Sequence, residues 1–317
     1  MFIPAPAQRL LRSWSPAQDD QNLLSEEDTT AVGALPSLVR VDHVEPIVEV
    51  SSSSSAAGKS QLLYYLTALA VLPPALEGVD IGGRDSAVIF LDTDTRFDVN
   101  RLGTVARRIV LRKLQGQNNP AIDVEFVISA SLQHVHVFRP QSSSSFLATL
   151  KSLDTYLLDG RRHVSSERSL GAILVDSATA FFWPDKLRDE VSRIEDIGRP
   201  PVEIDREREQ KQSFYLSDLY AELAKELKRL QRRFSCAVIY TTVSWSGKSV
   251  TAREAPRHAS GPFDLYNPPA PSAPNTPSLR PSLPLCWSTL PTLRLVVQRA
   301  VVRPFPPGMT PLAAERE

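Results

Sequence analysis

The chain has 317 residues, 42% of them apolar, which is enough for one large α/β domain or two small ones with a real core. Lysine plus arginine and aspartate plus glutamate number 36 each, so there is no overall pull toward nucleic acid or an anionic membrane, and any such contact has to be local. Two cysteines, Cys236 and Cys286, exclude a disulfide framework and lack zinc-site spacing, which suits a reducing compartment and predicts buried free thiols.

Residues 1–40 have weak periodicity and an acidic patch at Asp19-Asp20 and Glu26-Glu27-Asp28, and we expect an N-terminal segment or linker there. Arg9 and Arg12 without a neighbouring acid suit a transit peptide, but Pro4 and Pro6 oppose its helix, so a frayed terminus is expected. Val44 to Val50 predicts a strand and Lys59 to Leu72 a helix, apolar nearly all round and therefore buried, stopped by Pro73-Pro74. No apolar run approaches the ~18 to 20 residues of a membrane span, so no membrane contact and a soluble protein are expected.

Ser86 to Asp92 is a continuous apolar run of the kind that parallel sheets bury on both faces. Asp98 is placed to cap a helix whose apolar positions Val99, Leu102, Val105, Ala106, Ile109 and Val110 recur at three and four. Val124 to Ile128 and Val135 to Phe138 read as strands, and Phe146 to Leu158 as a helix entered through Ser142 to Ser145. His134 and His136 alternate on one strand face, and with no third ligand in sequence view a structural role is expected.

Leu170 to Asp176 predicts another buried strand, Phe181 to Gln212 an irregular excursion, Phe214 to Phe234 an amphipathic helix and Cys236 to Val243 a strand. The stretch 244–285 is rich in proline and serine and is expected to be a mobile loop. Thr292 to Val302 predicts two short strands around Gln298-Arg299, before a proline-punctuated tail at 306–317. Alternating strands and helices give the expected fold class: α/β, a mostly parallel sheet with helices on both faces, spanning 41–305, with ligands at the carboxyl ends of the strands.

The stretch from Ile47 to Leu72 organises this chain, because a small-residue loop between strand and helix ends in Gly58-Lys59-Ser60. It is a departure from the P-loop pattern G-x-x-x-x-G-K-[ST], whose backbone N–H groups cradle phosphates, whose lysine reaches the outer phosphates and whose hydroxyl holds Mg²⁺. The expected nucleotide-binding residues are Ser53, Ser54, Ser55, Ala56, Ala57, Gly58, Lys59 and Ser60, with Ser53 standing where the first glycine belongs. Serine enters left-handed backbone regions at a cost that glycine does not meet. Gly-Lys-Ser alone is a common tripeptide. Asp92 and Asp94 end one predicted strand and Asp176 another at the same expected sheet end, and although acids there are also ordinary turn formers, the combination favours a nucleotide site.

The order GKS, then VIFLDTDTRFDVNRL at 88–102, VHVFRPQSSSSFLATL at 135–150 and AILVDSATAFFW at 172–183 resembles the RecA-like recombinases and their eukaryotic paralogues over about residues 45 to 305. The resemblance implies a RecA-like P-loop NTPase core with ATP and Mg²⁺ as cofactors. In it, Lys59 grips the outer phosphates, Ser60 binds Mg²⁺, Asp176 holds the metal through water, and Asp94 stands at the catalytic position of the glutamate that activates water. Asp94 is one methylene short, about 1.5 Å of reach. Recombinases carry a γ-phosphate-sensing amide after the last strand of the site, where this chain has Thr241-Thr242-Val243. Slow hydrolysis is therefore expected beside retained binding.

The family's two DNA-facing loops correspond to about Phe182 to Gln212 and Ser244 to Leu285, and neither is a basic patch with interleaved aromatics. The resemblance implies a nuclear recombination-mediator subunit in double-strand-break repair, assembled with other recombinase paralogues, with single-stranded or branched DNA shared among partners. A DNA-stimulated ATPase, a P-loop small-molecule kinase and a P-loop fold without ligand stay open as alternatives.

Overall fold

The computed structural model describes residues 45–52, 56–115, 123–211, 215–243 and 283–299. In chain order they form β1 (Ile47–Ser52), α1 (Lys59–Val71), β2 (Ala75–Leu76), β3 (Val79–Asp80), β4 (Ala87–Asp92), α2 (Val99–Leu114), α3 (Val124–Leu132), β5 (Val135–Phe138) and α4 (Ser143–Leu158). There follow β6 (Leu170–Asp176), α5 (Phe182–Glu195), α6 (Pro201–Lys211), α7 (Leu216–Phe234), β7 (Ala237–Val243), α8 (Leu285–Ser288) and β8 (Leu293–Val296). These elements belong to the unit that begins at Pro46.

Six strands make one sheet in the order β5-β4-β6-β7-β1-β8, and every neighbouring pair is parallel. Successive strand residues point to opposite faces. Ile89 and Leu91 of β4 therefore enter one core with Leu150 and Leu153 of α4 and Leu223 and Leu227 of α7. Phe90 faces the other way and stacks against Tyr64 of α1, beside a second core built from α1, α2 and α3. Both faces are covered, so the strands read as continuous apolar runs.

Asp98 caps α2 through Asn100 and Arg101 N–H groups, as its position predicts, and Ser142 caps α4 through the Ser145 N–H. Leu72 ends α1 in extended backbone directly before Pro73. The short antiparallel hairpin β2–β3 lies outside the sequence expectation and turns at Glu77 and Gly78, both at positive φ.

Two expectations are corrected. Val124 to Ile128 is the start of helix α3, whose N-cap Asp123 accepts from the Phe126 N–H and whose first turn carries Glu125, because a short apolar run does not by itself separate strand from helix. The excursion at Phe181 to Gln212 is two helices, with Pro201 at the first position of α6 and i,i+4 pairs Lys186–Glu190 and Asp189–Arg193 along α5. Cys236 is a buried free thiol, whereas Cys286 is only half-buried. The N-terminal segment 1–40, most of the loop at 244–285, the strand expected beyond residue 299 and the tail lie outside the described residues.

His134 and His136 flank Ser165, whose hydroxyl is hydrogen-bonded to His134 Nδ1 at 2.8 Å and His136 Nε2 at 2.9 Å. The Tyr156 hydroxyl reaches His136 Nδ1 at 2.9 Å. These imidazoles tie β5 to the α4–β6 connection, the structural role expected of them.

Candidate functional site

The carboxyl ends of β1, β4, β6 and β7 converge on the start of α1. Gly58 precedes that helix at φ 103°, a left-handed conformation that glycine reaches without cost. Ala56 is also left-handed at φ 59°, which costs a non-glycine residue about 1 kcal/mol. Ser53, Ser54 and Ser55 lie outside the described residues.

Lys59 and Ser60 open α1 and are half-buried. The Lys59 ammonium donates to the Ser52 hydroxyl at the end of β1. Partial burial pushes the Lys59 pKa down, opposed by attraction to Asp176 and then Asp94. Burial also pushes the Asp94 carboxyl up, Asp176 adds repulsion, and Arg96 pulls it down. Asp94 reaches solvent, yet it sits close enough to the cleft to lose part of its hydration. Lys59, Asp94 and Asp176, widely separated in sequence, thus share one electrostatic neighbourhood.

The turn carrying Asp94 is pinned from both sides. The Thr93 and Asp94 N–H groups donate to the Asp176 carbonyl at 3.0 and 3.3 Å. The Thr93 hydroxyl donates to the Ser177 carbonyl at 2.7 Å and accepts from the Ser177 N–H at 2.6 Å. Asp92 is buried and accepts from the Arg96 N–H at 2.9 Å, the Phe97 N–H at 3.0 Å and Arg139 Nε at 3.1 Å. Its carboxylate is therefore committed to shaping the turn, leaving Asp94 as the acid of that strand end that faces the site.

At the end of β7 the two threonines face opposite ways. The Thr241 hydroxyl donates to Asp176 Oδ1 at 2.6 Å, and the Thr242 hydroxyl donates to Glu49 Oε1 at 2.9 Å. Glu49, buried within β1, also pairs with Arg294 Nε at 3.0 Å. Both hydroxyls at the end of β7 are thus already engaged within the sheet.

Among the described residues no group of three or more His, Cys, Asp or Glu side chains could by itself hold a metal ion. Ser60, Asp176 and Asp94 nevertheless offer hard oxygen donors beside one ammonium. That set suits Mg²⁺, which is held in phosphoryl sites by one or two carboxylates completed by phosphates and water.

The chain is 24% identical over 275 residues to the DNA repair protein XRCC2 homolog of Arabidopsis thaliana, covering 80% of this chain and 69% of that protein. It is 32% identical over 130 residues to DNA repair protein XRCC2 of Mus musculus, covering 41% of this chain and 39% of the mouse protein. No family model matches. The chain is thus similar to proteins named for DNA repair. Both relatives bear the name of the X-ray-repair cross-complementing paralogue numbered two, to which the wording of Leu62 to Leu72, DTDTRFDV and HVHVFRPQ also points. The six-stranded parallel sheet with helices on both faces is an α/β arrangement consistent with the RecA-like core that the resemblance implies.

The sequence-derived residues Gly58, Lys59, Ser60, Asp94 and Asp176 lie at one end of the sheet, with Ala56 and Ala57 leading into them. Thr93 and Glu49 escaped sequence reading. The only sequence signal for Thr93 is its place between Asp92 and Asp94. Glu49 stands inside an otherwise apolar β-branched run, an anomaly that a buried ion pair explains.

Proposed function

We propose that this chain is a recombination-mediator subunit in homologous-recombination repair of DNA double-strand breaks. It works in the nucleus, binds ATP with Mg²⁺ weakly or as a structural ligand, and assembles with other recombinase paralogues on single-stranded or branched DNA. The observation that carries the nucleotide part is the shared electrostatic neighbourhood of Lys59, Asp94 and Asp176 at the carboxyl end of a parallel sheet. The repair role rests on likeness to proteins named for DNA repair.

Lys59 binds the outer phosphates, Gly58 gives them backbone access, and Ser60 and Asp176 orient the hydrated cation, which neutralises phosphate charge when bound. Asp94 is the residue nearest to a water-activating role, and its reach limits it. Engagement of Thr241 and Thr242 within the sheet supports binding without fast turnover. The second reading, a DNA-stimulated ATPase, is favoured by the presence of all four of Lys59, Ser60, Asp94 and Asp176.

Titration of labelled ATP with Mg²⁺ against the full chain and Lys59→Ala, followed by phosphate release with and without single-stranded DNA, separates them. Lys59-dependent binding without DNA-stimulated release supports the mediator. Rapid DNA-stimulated release that Asp94→Ala abolishes supports the ATPase, and absence of Lys59-dependent binding refutes both.

A further inference from the structure

The cation surplus that the chain as a whole lacks exists locally, on the C-terminal half of α7. Lys225, Lys228, Arg229, Arg232 and Arg233 line a groove of about 670 Å³ between α7 and α8. Its remaining lining is small: Ala221 and Ala224 of α7, Cys286 of α8 and Thr289 just beyond it. The two walls are clamped together, because the buried Trp287 of α8 donates from Nε1 to the Tyr220 carbonyl of α7 at 2.9 Å. The groove is therefore formed before any ligand arrives. Helix α7 passes through Ser235 and Cys236 into the start of β7, and the Thr292 N–H, just after α8, donates to the Ile47 carbonyl at the start of β1 at 2.8 Å. This places the groove at the amino end of the parallel sheet, opposite to Lys59, Asp94 and Asp176.

Three of the cations are already engaged. Lys225 pairs with Glu222 at 3.3 Å, Arg229 with Glu226 at 2.7 Å and with Asp154, and Arg233 with Asp154 at 3.3 Å. Glu222 is shared with Lys151 at 3.7 Å as well. Lys228 and Arg232, four apart on one face of the helix, have no carboxylate partner among the described residues. Cations at a helix C-terminus offset its dipole, which accounts for Arg232 and Arg233 in the last turn but not for Lys225 and Lys228 before it. The array 225, 228–229, 232–233 recurs at every turn over about 12 Å, the rise of three to four nucleotides along one strand. A linear row of cations suits a linear polyanion. No aromatic side chain lines the groove, so bases find nothing to stack on, and the stacking platform by which single strands are held is missing. The groove also presents no large apolar side chain to enter a lipid surface. What its charge and small floor can take is a phosphodiester backbone, brought close and held through its phosphates.

We propose that the groove between α7 and α8 seats the phosphodiester backbone of duplex DNA, without reading its sequence and without need of ATP. That the polyanion is DNA rests on the proposed function, and the duplex is the arm of a branched substrate. The contact lies away from the segments 182–212 and 244–285, and at the end of the sheet opposite to the nucleotide site.

The test uses the full chain with two double variants, Lys228→Ala/Arg232→Ala and the charge-preserving Lys228→Arg/Arg232→Lys. Anisotropy of a labelled duplex of about 20 base pairs, and of a single strand of equal length, is followed from about 50 to about 200 mM salt. Melting temperature and Lys59-dependent ATP binding are measured alongside. The expected result is duplex binding at least as tight as single-strand binding, indifferent to ATP and to Lys59→Ala. The alanine variant should bind duplex at least about tenfold more weakly at about 50 mM salt, with a log–log salt slope shallower by about 2, since each phosphate contact contributes about 0.9. The charge-preserving variant should stay within twofold of wild type, and both variants should melt and bind ATP as wild type does. Absence of duplex binding by wild type, or an alanine variant within twofold of it, overturns the inference and leaves the proposed function standing, because DNA there is shared with partners. Single-strand binding that is tighter than duplex binding overturns the duplex assignment, and tighter binding of a polyglutamate peptide assigns the groove to an acidic protein segment instead. Unfolding of both variants shows that the two cations hold the fold, which also overturns it. Duplex binding without Lys59-dependent ATP binding supports the groove and refutes the nucleotide part of the proposed function.

Discussion

Under the proposed function, Asp94→Glu supplies the methylene by which Asp94 falls short of a water-activating glutamate. The backbone has little freedom to make up the difference. Both N–H groups at Thr93 and Asp94 are held by the Asp176 carbonyl, the Thr93 hydroxyl is bonded twice to Ser177, and Asp92 fixes the N–H groups of Arg96 and Phe97 beyond. The missing reach is about 1.5 Å, and a misplacement of about 1 Å costs roughly a hundredfold in rate. Because the Thr241 and Thr242 hydroxyls are engaged elsewhere, only part of that factor is recoverable, and Asp94→Glu should raise Mg²⁺-ATP turnover about 10- to 100-fold from a baseline far below about 1 s⁻¹. Asp94→Asn should lower the baseline less than about threefold, since a carboxylate out of reach contributes little. The assay is steady-state phosphate release with Lys59→Ala as background. An unchanged rate in Asp94→Glu, with Lys59-dependent binding intact, refutes the reach argument, and so does a large loss in Asp94→Asn.

Three further outcomes follow from the geometry. Thr93→Val removes both bonds to Ser177 at a buried position, leaving a carbonyl and an N–H unsatisfied, and should cost about 2–3 kcal/mol in urea unfolding while weakening Lys59-dependent ATP binding. Burial, then the charges of His163 and His134, lowers His136 from 6.5 to about 4, so the unfolded chain takes up its proton at a higher pH than the folded one. The resulting stability is full above about pH 6.5 and is lost as pH falls toward about 4, at most about 3 kcal/mol and about 2 after solvent screening; urea midpoints between these pH values should fall steeply in wild type and flatten in His136→Asn. Trp287 is fully buried, packs edge-on against Tyr220 and Tyr240, and donates from Nε1 to the Tyr220 carbonyl at 2.9 Å, so Trp287→Ala should cost about 3–5 kcal/mol by thermal or urea unfolding.

The sheet was legible because parallel strands buried on both faces leave uninterrupted runs such as Ala87 to Asp92 and Leu170 to Asp176, and the residues that end them fall on one side. Lys59, Asp94 and Asp176 could be placed for the same reason. Helix α3 is ambiguous in sequence because its nine residues are too few for the two periods to separate, and its cap Asp123 follows a stretch without pattern. Helices α5 and α6 were hidden by a different cause: a periodic pattern is sought as an inward apolar face, and α5 points its apolar residues outward. The Thr93 clip depends on two turns 84 residues apart meeting, which no local spacing encodes.

The threonines at the end of β7 bear most directly on what the site does. Strand geometry sends successive side chains to opposite faces, so Thr241 and Thr242 cannot both address a ligand beyond the sheet edge. Thr241 holds the carboxylate of Asp176, and Thr242 helps satisfy Glu49, which with Arg294 forms an ion pair between β1 and the edge strand β8. Replacing either to restore a sensing amide would remove a bond that the sheet uses, and a buried carboxylate stripped of a donor is costly. A site in which reach is lost at Asp94 and the sensor position is built into the sheet does not regain turnover by one substitution at β7. Under the proposed function, Asp94 is therefore the position at which gain of hydrolysis is to be sought.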